Sequence, residues 1–355
     1  MTAVTEARTV TPGSAIADAV QVVRAARRVP RRRTALVVGG LAVALVAAFG
    51  ARVLLGDYTI TIPDFVRILA GTDIPGATYI LLESKLPRAV LATLAGVAFG
   101  VAGALFQTTL RNPLASPDII GVSLGASACA VVAIALWGWQ GLPVSAVAVT
   151  GAVAVALVVR LVAGPHGGYR LVLVGIGAAA AMQSVIQYVF TRVDEYDAQL
   201  VLRWLTGSVN GVAWPTIRLL ALVLAVLLPL TWWVARSLRV SELGDDAAAG
   251  LGVSRARSEL LLLLGVVLSA VAVAAAGPIA FVSFLAGPIA RALNGGRTTI
   301  LGAALTGAVV VVSADYVADY LVPDTNLPVG VVTGAVGAPF LLWLLARGRA
   351  GRRAA

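Results

Sequence analysis

Residues 86–126 read LPRAVLATLAGVAFGVAGALFQTTLRNPLASPDIIGVSLGA. No charged residue interrupts the stretch from Ala89 to Leu110. One helix needs roughly 20 apolar residues to cross the hydrocarbon core of a bilayer. Arg111-Asn112-Pro113 and Ser116-Pro117 then impose a shaped turn, since Asn and Pro punctuate helices. The next apolar run opens at once with Ile120-Gly121-Val122. Two spans joined this tightly point to an all-α polytopic membrane protein.

Outward from this stretch, further apolar runs lie near 34–55, 143–163, 171–191, 215–235, 259–276, 279–293, 299–317 and 329–346. With 86–106 and 119–138 they predict about ten transmembrane helices. The pattern divides the chain into a basic N-terminal tail (1–33), a membrane domain (34–346) and a basic C-terminal tail (347–355). A retained first span is favoured over a cleaved signal peptide, because the tail is long and the apolar stretch has about 20 residues. Gly277-Pro278 and Gly287-Pro288 interrupt the run at 279–293. Such breaks survive at membrane depth only where protein or a watery cavity receives the freed backbone groups.

The composition agrees. Hydrophobic residues make up 59% of the 355, charged residues 12%, and the mean hydropathy is +0.93. A soluble domain carries about 25% charged residues, so a soluble enzyme is excluded. Lys85 is the only lysine and lies between Ser84 and Leu86. A Walker A loop needs Gly-Lys-Ser/Thr, so any ATP that drives this chain binds to another one. Cys129 and His166 are the only cysteine and histidine, too few for a zinc site of Cys/His type.

The net charge of +10 fits cytoplasmic anchoring better than nucleic acid. With the N-terminal tail inside, 20 of the 27 basic residues fall on inner segments. That asymmetry predicts both termini in the cytoplasm. Gly96, Gly100 and Gly103 share a helical face, as do Gly121 and Gly125, a spacing that lets helix backbones approach closely in lipid. The tryptophans fall near predicted span ends, as in an interfacial belt. Asp315 lies within an apolar run, where an acid is a functional candidate by default; a structural hydrogen-bond role is the favoured reading.

The stretch at 86–126 closely resembles the signature of the FecCD-type (BtuC-like) permeases, membrane subunits of ABC importers for iron–siderophores, haem and cobalamin. The signature turn comprises Gln107, Arg111, Asn112, Pro113, Leu114, Ala115 and Pro117. Further matches follow in order. Trp204-Leu205-Thr206-Gly207-Ser208 resembles W-L-x-G-S. Leu243-Gly244-Asp245-Asp246-Ala247-Ala248 through Leu251-Gly252-Val253 resembles LG-x-x-A…LG-V. Gly277-Pro278-Ile279-Ala280-Phe281-Val282 resembles GPI-x-FV, and Leu327–Thr333 with Gly337–Phe340 resembles LP-x-GVVT…GAP-F. The chain departs from the pattern at Gly287-Pro288, at Gly295-Gly296-Arg297, and at Asp319, where the family carries a basic residue.

The resemblance implies a type II importer permease fold and a transport subunit that is no enzyme. It binds no cofactor itself, ATP and Mg residing on two copies of a partner ATPase. Loop 236–258 would carry the coupling helix, with Leu243, Gly244, Asp245, Asp246, Ala247, Gly250, Leu251 and Gly252 against the ATPase. Lys85 and Arg88 are expected to steer an extracytoplasmic siderophore-binding protein. His166, Gly167, Gly168 and Tyr169 would form the inner gate, with the fifth span lining the pathway. Asp319 suggests a heterodimer with a second permease chain that supplies the missing basic residue. The expected location is the cytoplasmic (inner) membrane, and the expected cargo an iron–siderophore, with haem or cobalamin as alternatives. An ion-coupled secondary transporter would need buried ionisable groups at a midplane site, for which Asp315 is the one clear candidate. A membrane enzyme would need clustered acids or histidines, which the spans lack.

Overall fold

The structure, a computed structural model, describes residues 12–164, 168–242, 244–320 and 326–353. Among the described residues it consists of helices joined by loops and turns, with no strand. The elements are α1 (Pro12–Leu54), α2 (Ile62–Leu69), α3 (Ala77–Tyr79), α4 (Leu86–Thr109), α5 (Val122–Trp137), α6 (Leu142–Ala163), α7 (Gly168–Phe190), α8 (Glu195–Thr206), α9 (Trp214–Val234), α10 (Leu238–Ser241), α11 (Asp245–Gly250), α12 (Arg255–Ala276), α13 (Val282–Leu293), α14 (Ile300–Tyr320) and α15 (Val329–Arg353). A π-helical turn over Ile80–Lys85 joins α3 to α4, so Ala77–Thr109 is one rod of 33 residues.

Among the described residues, seven helices are long and apolar enough to cross a membrane: α1, the α3–α4 rod, α6, α7, α9, α12 and α14. The shorter apolar helices α5, α13 and α15 correspond to the three remaining runs. Proline opens several helices at their first or second position, as in α2, α6 and α9, where its missing N–H costs nothing.

The rod of α4 is the axis of the molecule. It is flanked by α14, α12, α13 and α1. Its glycines set the approach distance. A Cβ on Gly96 would stand 2.5 Å from the Gly307 carbonyl oxygen, and one on Gly100 2.3 Å from that of Ala303. A Cβ on Gly103 would stand 1.8 Å from the Ser283 oxygen. The small-residue faces therefore serve packing within the chain, where close backbone approach supplies dispersion that lipid cannot. Gly125 likewise packs on Gly151 and Val155 of α6. On α7, Leu171, Gly175, Ile186 and Val189 turn inward, and Gly175 meets Ile120. Gly177, Ala181, Ser184 and Tyr188 lie exposed along its opposite face.

Candidate functional site

Two ends of the bundle gather the motifs, and they are named here by Arg88 and Arg111. At the Arg88 end, α1, α4 and α14 meet in a buried ion cluster. Arg52 Nε donates to Asp315 Oδ2 at 2.5 Å and Arg52 Nη2 to Asp319 Oδ2 at 3.1 Å. Arg88 Nη2 lies 2.8 Å from Asp315 Oδ1, and its Nη1 donates to Asp319 Oδ1 at 3.0 Å. Arg52 Nη1 also donates to the Tyr320 hydroxyl at 3.2 Å. Asp315 is 0% exposed. Two forked guanidinium groups thus satisfy two carboxylates, which is how charges survive burial. Asp315 has the structural role expected of it.

Lys85 and Arg88 do not stand at an exposed rim. They are 4% and 7% exposed. Lys85 Nζ donates to the Leu55 and Tyr58 carbonyls at 2.7 and 2.6 Å, closing the turn between α1 and α2. The docking expectation for these two side chains fails, because carboxylates and carbonyls inside the chain already occupy their donors. Asp319 is likewise an internal ion-pair partner, so its acidity no longer argues for a second, complementary chain. Arg52 was missed in the sequence. The available signal was a cation in the last turn of one apolar run and an acid inside another, since intramembrane charges pair with one another.

Three motifs converge at the same end. Ser208 N donates to the Ala276 carbonyl at 2.8 Å. A Cβ on Gly207 would stand 2.6 Å from the Pro278 oxygen, and one on Gly330 1.9 Å from the Thr206 oxygen. The stretches around Trp204, Gly277 and Val329 are therefore one packed knot. Trp214 Nε1 ties α9 to the rod through the Leu82 carbonyl at 2.9 Å.

The break at Gly287-Pro288 has a local repair. Pro288 lacks the N–H that would bond the Phe284 carbonyl four residues back. Gln107 Nε2 supplies that bond at 3.1 Å, with the Ser283 carbonyl at 3.3 Å. Gly287 makes room: a Cβ there would stand 1.9 Å from Gln107 Oε1. One signature residue of α4 thus replaces a missing backbone donor of α13.

At the Arg111 end, α4 terminates in a paired C-capping arrangement. Asn112 N donates to the Gln107 carbonyl at 3.1 Å, and Arg111 N to the Thr108 carbonyl at 3.3 Å. These are the two bonds of a Schellman motif, with Arg111 at the left-handed position (φ +51°). Asn112 Oδ1 accepts from Leu114 N at 2.9 Å, shaping the turn before Pro117. Pro113 is exposed, whereas Ala115 and Pro117 are buried. Ser123 donates to the Asp118 carboxylate. Burial pushes the Asp118 carboxyl above the usual aspartate range, and the Ser123 bond opposes that rise.

The loop after α9 lies at this end. Short α10 packs against α4, and α11 follows Gly244 (φ +106°). Asp245, Asp246, Ala247 and Gly250 form α11, with Gly252 just beyond. Leu243 lies outside the described residues. Ala248 and Val253 are buried, and Val253 N donates to the Ala248 carbonyl at 2.9 Å, closing the loop on itself. Leu251 is 64% exposed, and Ala247, Gly250 and Gly252 beside it are exposed too. Leu251 therefore stands out from a ledge of small residues. Arg257 Nε donates to the Val234 carbonyl at 3.2 Å, and Thr298 Oγ1 to Glu242 Oε1 at 2.7 Å. Of the expected gate, Tyr169 is exposed on the first turn of α7 and Gly168 opens that helix; His166 and Gly167 lie outside the described residues.

The profile of the FecCD transport family matches residues 23–347. The ferric enterobactin transport system permease protein FepG of Escherichia coli (strain K12) is 37% identical over 294 residues, covering 82% of this chain and 89% of that protein. FepD, a second permease protein of the ferric enterobactin transport system in the same organism, is 33% identical over 322 residues, covering 88% and 96%. Among solved structures, a chain of an inward-facing metal-chelate type ABC transporter superposes with a TM-score of 0.73 at 24% identity, covering 88% of this chain and 99% of that one. The match to the family spans all ten apolar runs and every motif described above, and the chain belongs to the FecCD transport family of membrane permeases.

Proposed function

We propose that this chain is the permease subunit of an ABC importer that carries an iron–siderophore complex inward across the cytoplasmic membrane. The reading rests on family membership and on relatives named for ferric enterobactin. One structural observation carries the mechanism: the chain presents the exposed Leu251 at the end of α11, in a loop closed by the bond between the buried Ala248 and Val253. Such a knob suits a groove on an ATPase subunit, which binds the ATP and Mg that this chain has no loop to hold. The arginine asymmetry supports an orientation with the Arg111 end and both termini in the cytoplasm and the Arg88 end outside, where a siderophore-binding protein would deliver cargo.

In this reading the protein does no covalent chemistry. Two ATPase subunits bias it between two pathway geometries, by binding one of them more tightly than the other. The exposed face of α7, with Gly177, Ala181, Ser184 and Tyr188, would line the pathway opposite a second permease chain. FepG and FepD share one system name, which favours a heterodimer over a homodimer; the argument no longer involves Asp319. Reconstitution in sealed vesicles tests the proposal. Uptake of a ferric siderophore should require the ATPase, ATP and the binding protein together. Uptake by this chain alone, driven by an ion gradient, would overturn it in favour of a secondary transporter.

A further inference from the structure

Arg111 occupies a backbone position where its residue type is disfavoured. The left-handed position of a Schellman motif is usually glycine, because a Cβ crowds the following carbonyl there. An arginine in such a site keeps its strain only if something else compensates. Its side chain reaches the loop described above. A Cβ built on Gly244 would stand 3.2 Å from Arg111 Nη1. Gly244 is itself left-handed, at φ +106°, and immediately precedes α11. The adjoining α10 packs on α4. The guanidinium therefore lies against the point where the chain turns into the helix that bears Leu251.

The geometry points to Arg111 as a positioning residue: its side chain is a strut that sets the angle at which α11 leaves the body. It would touch neither cargo nor nucleotide and would act through Gly244. This rests on the reading of α11 as the ATPase-facing helix. The strut also gives the α4 rod a mechanical meaning. The helix that holds Asp315 and Asp319 through Arg88, and α13 through Gln107, ends in the side chain that orients the partner-facing loop.

The backbone and side-chain roles separate cleanly by substitution. Arg111→Gly removes the side chain while relieving the left-handed strain, so the fold should melt at the same or a higher temperature. Arg111→Lys keeps a cation on a thinner stem. Each variant is purified as the full chain with its ATPase subunits, and ATP hydrolysed per ferric siderophore imported is measured. Arg111→Gly should raise that ratio by about fivefold or more, the size of a modest coupling energy, with Arg111→Lys between it and wild type. A second readout uses the permease alone, with Cys129→Ser and a spin label on Ala249→Cys. The label should become more mobile in Arg111→Gly. Unchanged mobility in the permease alone would overturn the strut whatever the chain transports. Increased mobility with an unchanged transport ratio would keep the strut and overturn its role in coupling. If the wild-type chain recruits no ATPase, the functional reading fails, and the mobility result still decides the strut.

Discussion

Arg88 Nη1 donates to Asp319 Oδ1 at 3.0 Å while the same guanidinium grips Asp315. The two carboxylates lie one helical turn apart on α14, and Arg52 of α1 closes the set from the other side. Three helices are thereby joined at one end through groups that no single helix could satisfy.

Removing one member of this cluster leaves the others charged and buried. Asp315→Asn should destabilise the fold by about 3–5 kcal/mol, the usual cost of breaking a buried pair from one side. Asp319→Asn should cost less, because its carboxylate reaches partly to solvent. Arg88→Met added to Asp315→Asn should recover part of the loss. Thermal unfolding in detergent measures all three, and an Asp315→Asn protein as stable as wild type would contradict the cluster.

Gln107→Leu strands the Phe284 carbonyl and should cost about 1–3 kcal/mol, the desolvation of one buried acceptor. Pro288→Ala restores the backbone N–H that α13 lacks. The double variant should therefore be more stable than Gln107→Leu alone. Additive losses in the double variant would rule out the repair.

Gly100→Val drives two methyl groups toward the Ala303 carbonyl. Overpacking of this kind typically costs 1–3 kcal/mol or more, so expression and melting temperature should both fall. Gly177→Val meets open space and should leave melting unchanged; a loss of uptake without a loss of stability would support the proposed pathway face on α7.

Asp118→Asn carries a pH signature. A carboxyl whose pKa is raised in the folded chain stabilises it fully below the ordinary aspartate value, about 3.9. That contribution is lost as pH rises through the raised value. Asparagine cannot ionise and can still accept from Ser123. The variant should therefore melt above wild type at neutral pH, with the gap closing toward about pH 4. A gap that stays constant with pH would contradict a raised Asp118.

Leu251→Asp should leave the permease folded, since the side chain is exposed. Loss of a hot-spot anchor at the centre of an interface costs about 2 kcal/mol or more. ATPase association, measured by co-purification or interferometry, should weaken by about tenfold or more. Equal affinity would remove α11 from the interface.

The sequence alone determined the ten apolar helices and the family, while α2 and α8, which lie outside the apolar runs, appeared only in the structure. Apolar runs of the right length demand helices in lipid, and prolines and glycines mark where they begin and break. The ordered motifs at 86–126, 204–208, 243–253, 277–282 and 327–340 carried the resemblance without any coordinates. Only the tertiary structure decided what the charged residues at the span ends do. Lys85, Arg88 and Asp319 have the spacing of surface residues, and nothing local distinguishes a guanidinium facing water from one facing a carboxylate. Arg88 and Asp315 are 227 residues apart, and Arg52 and Asp315 are 263 apart. Pairing over such separations depends on how the helices cross, which the glycines of α4 permit but do not specify. The same holds for Arg111 against Gly244 and Gln107 against Pro288: each residue is legible alone, and its partner exists only once the helices have packed.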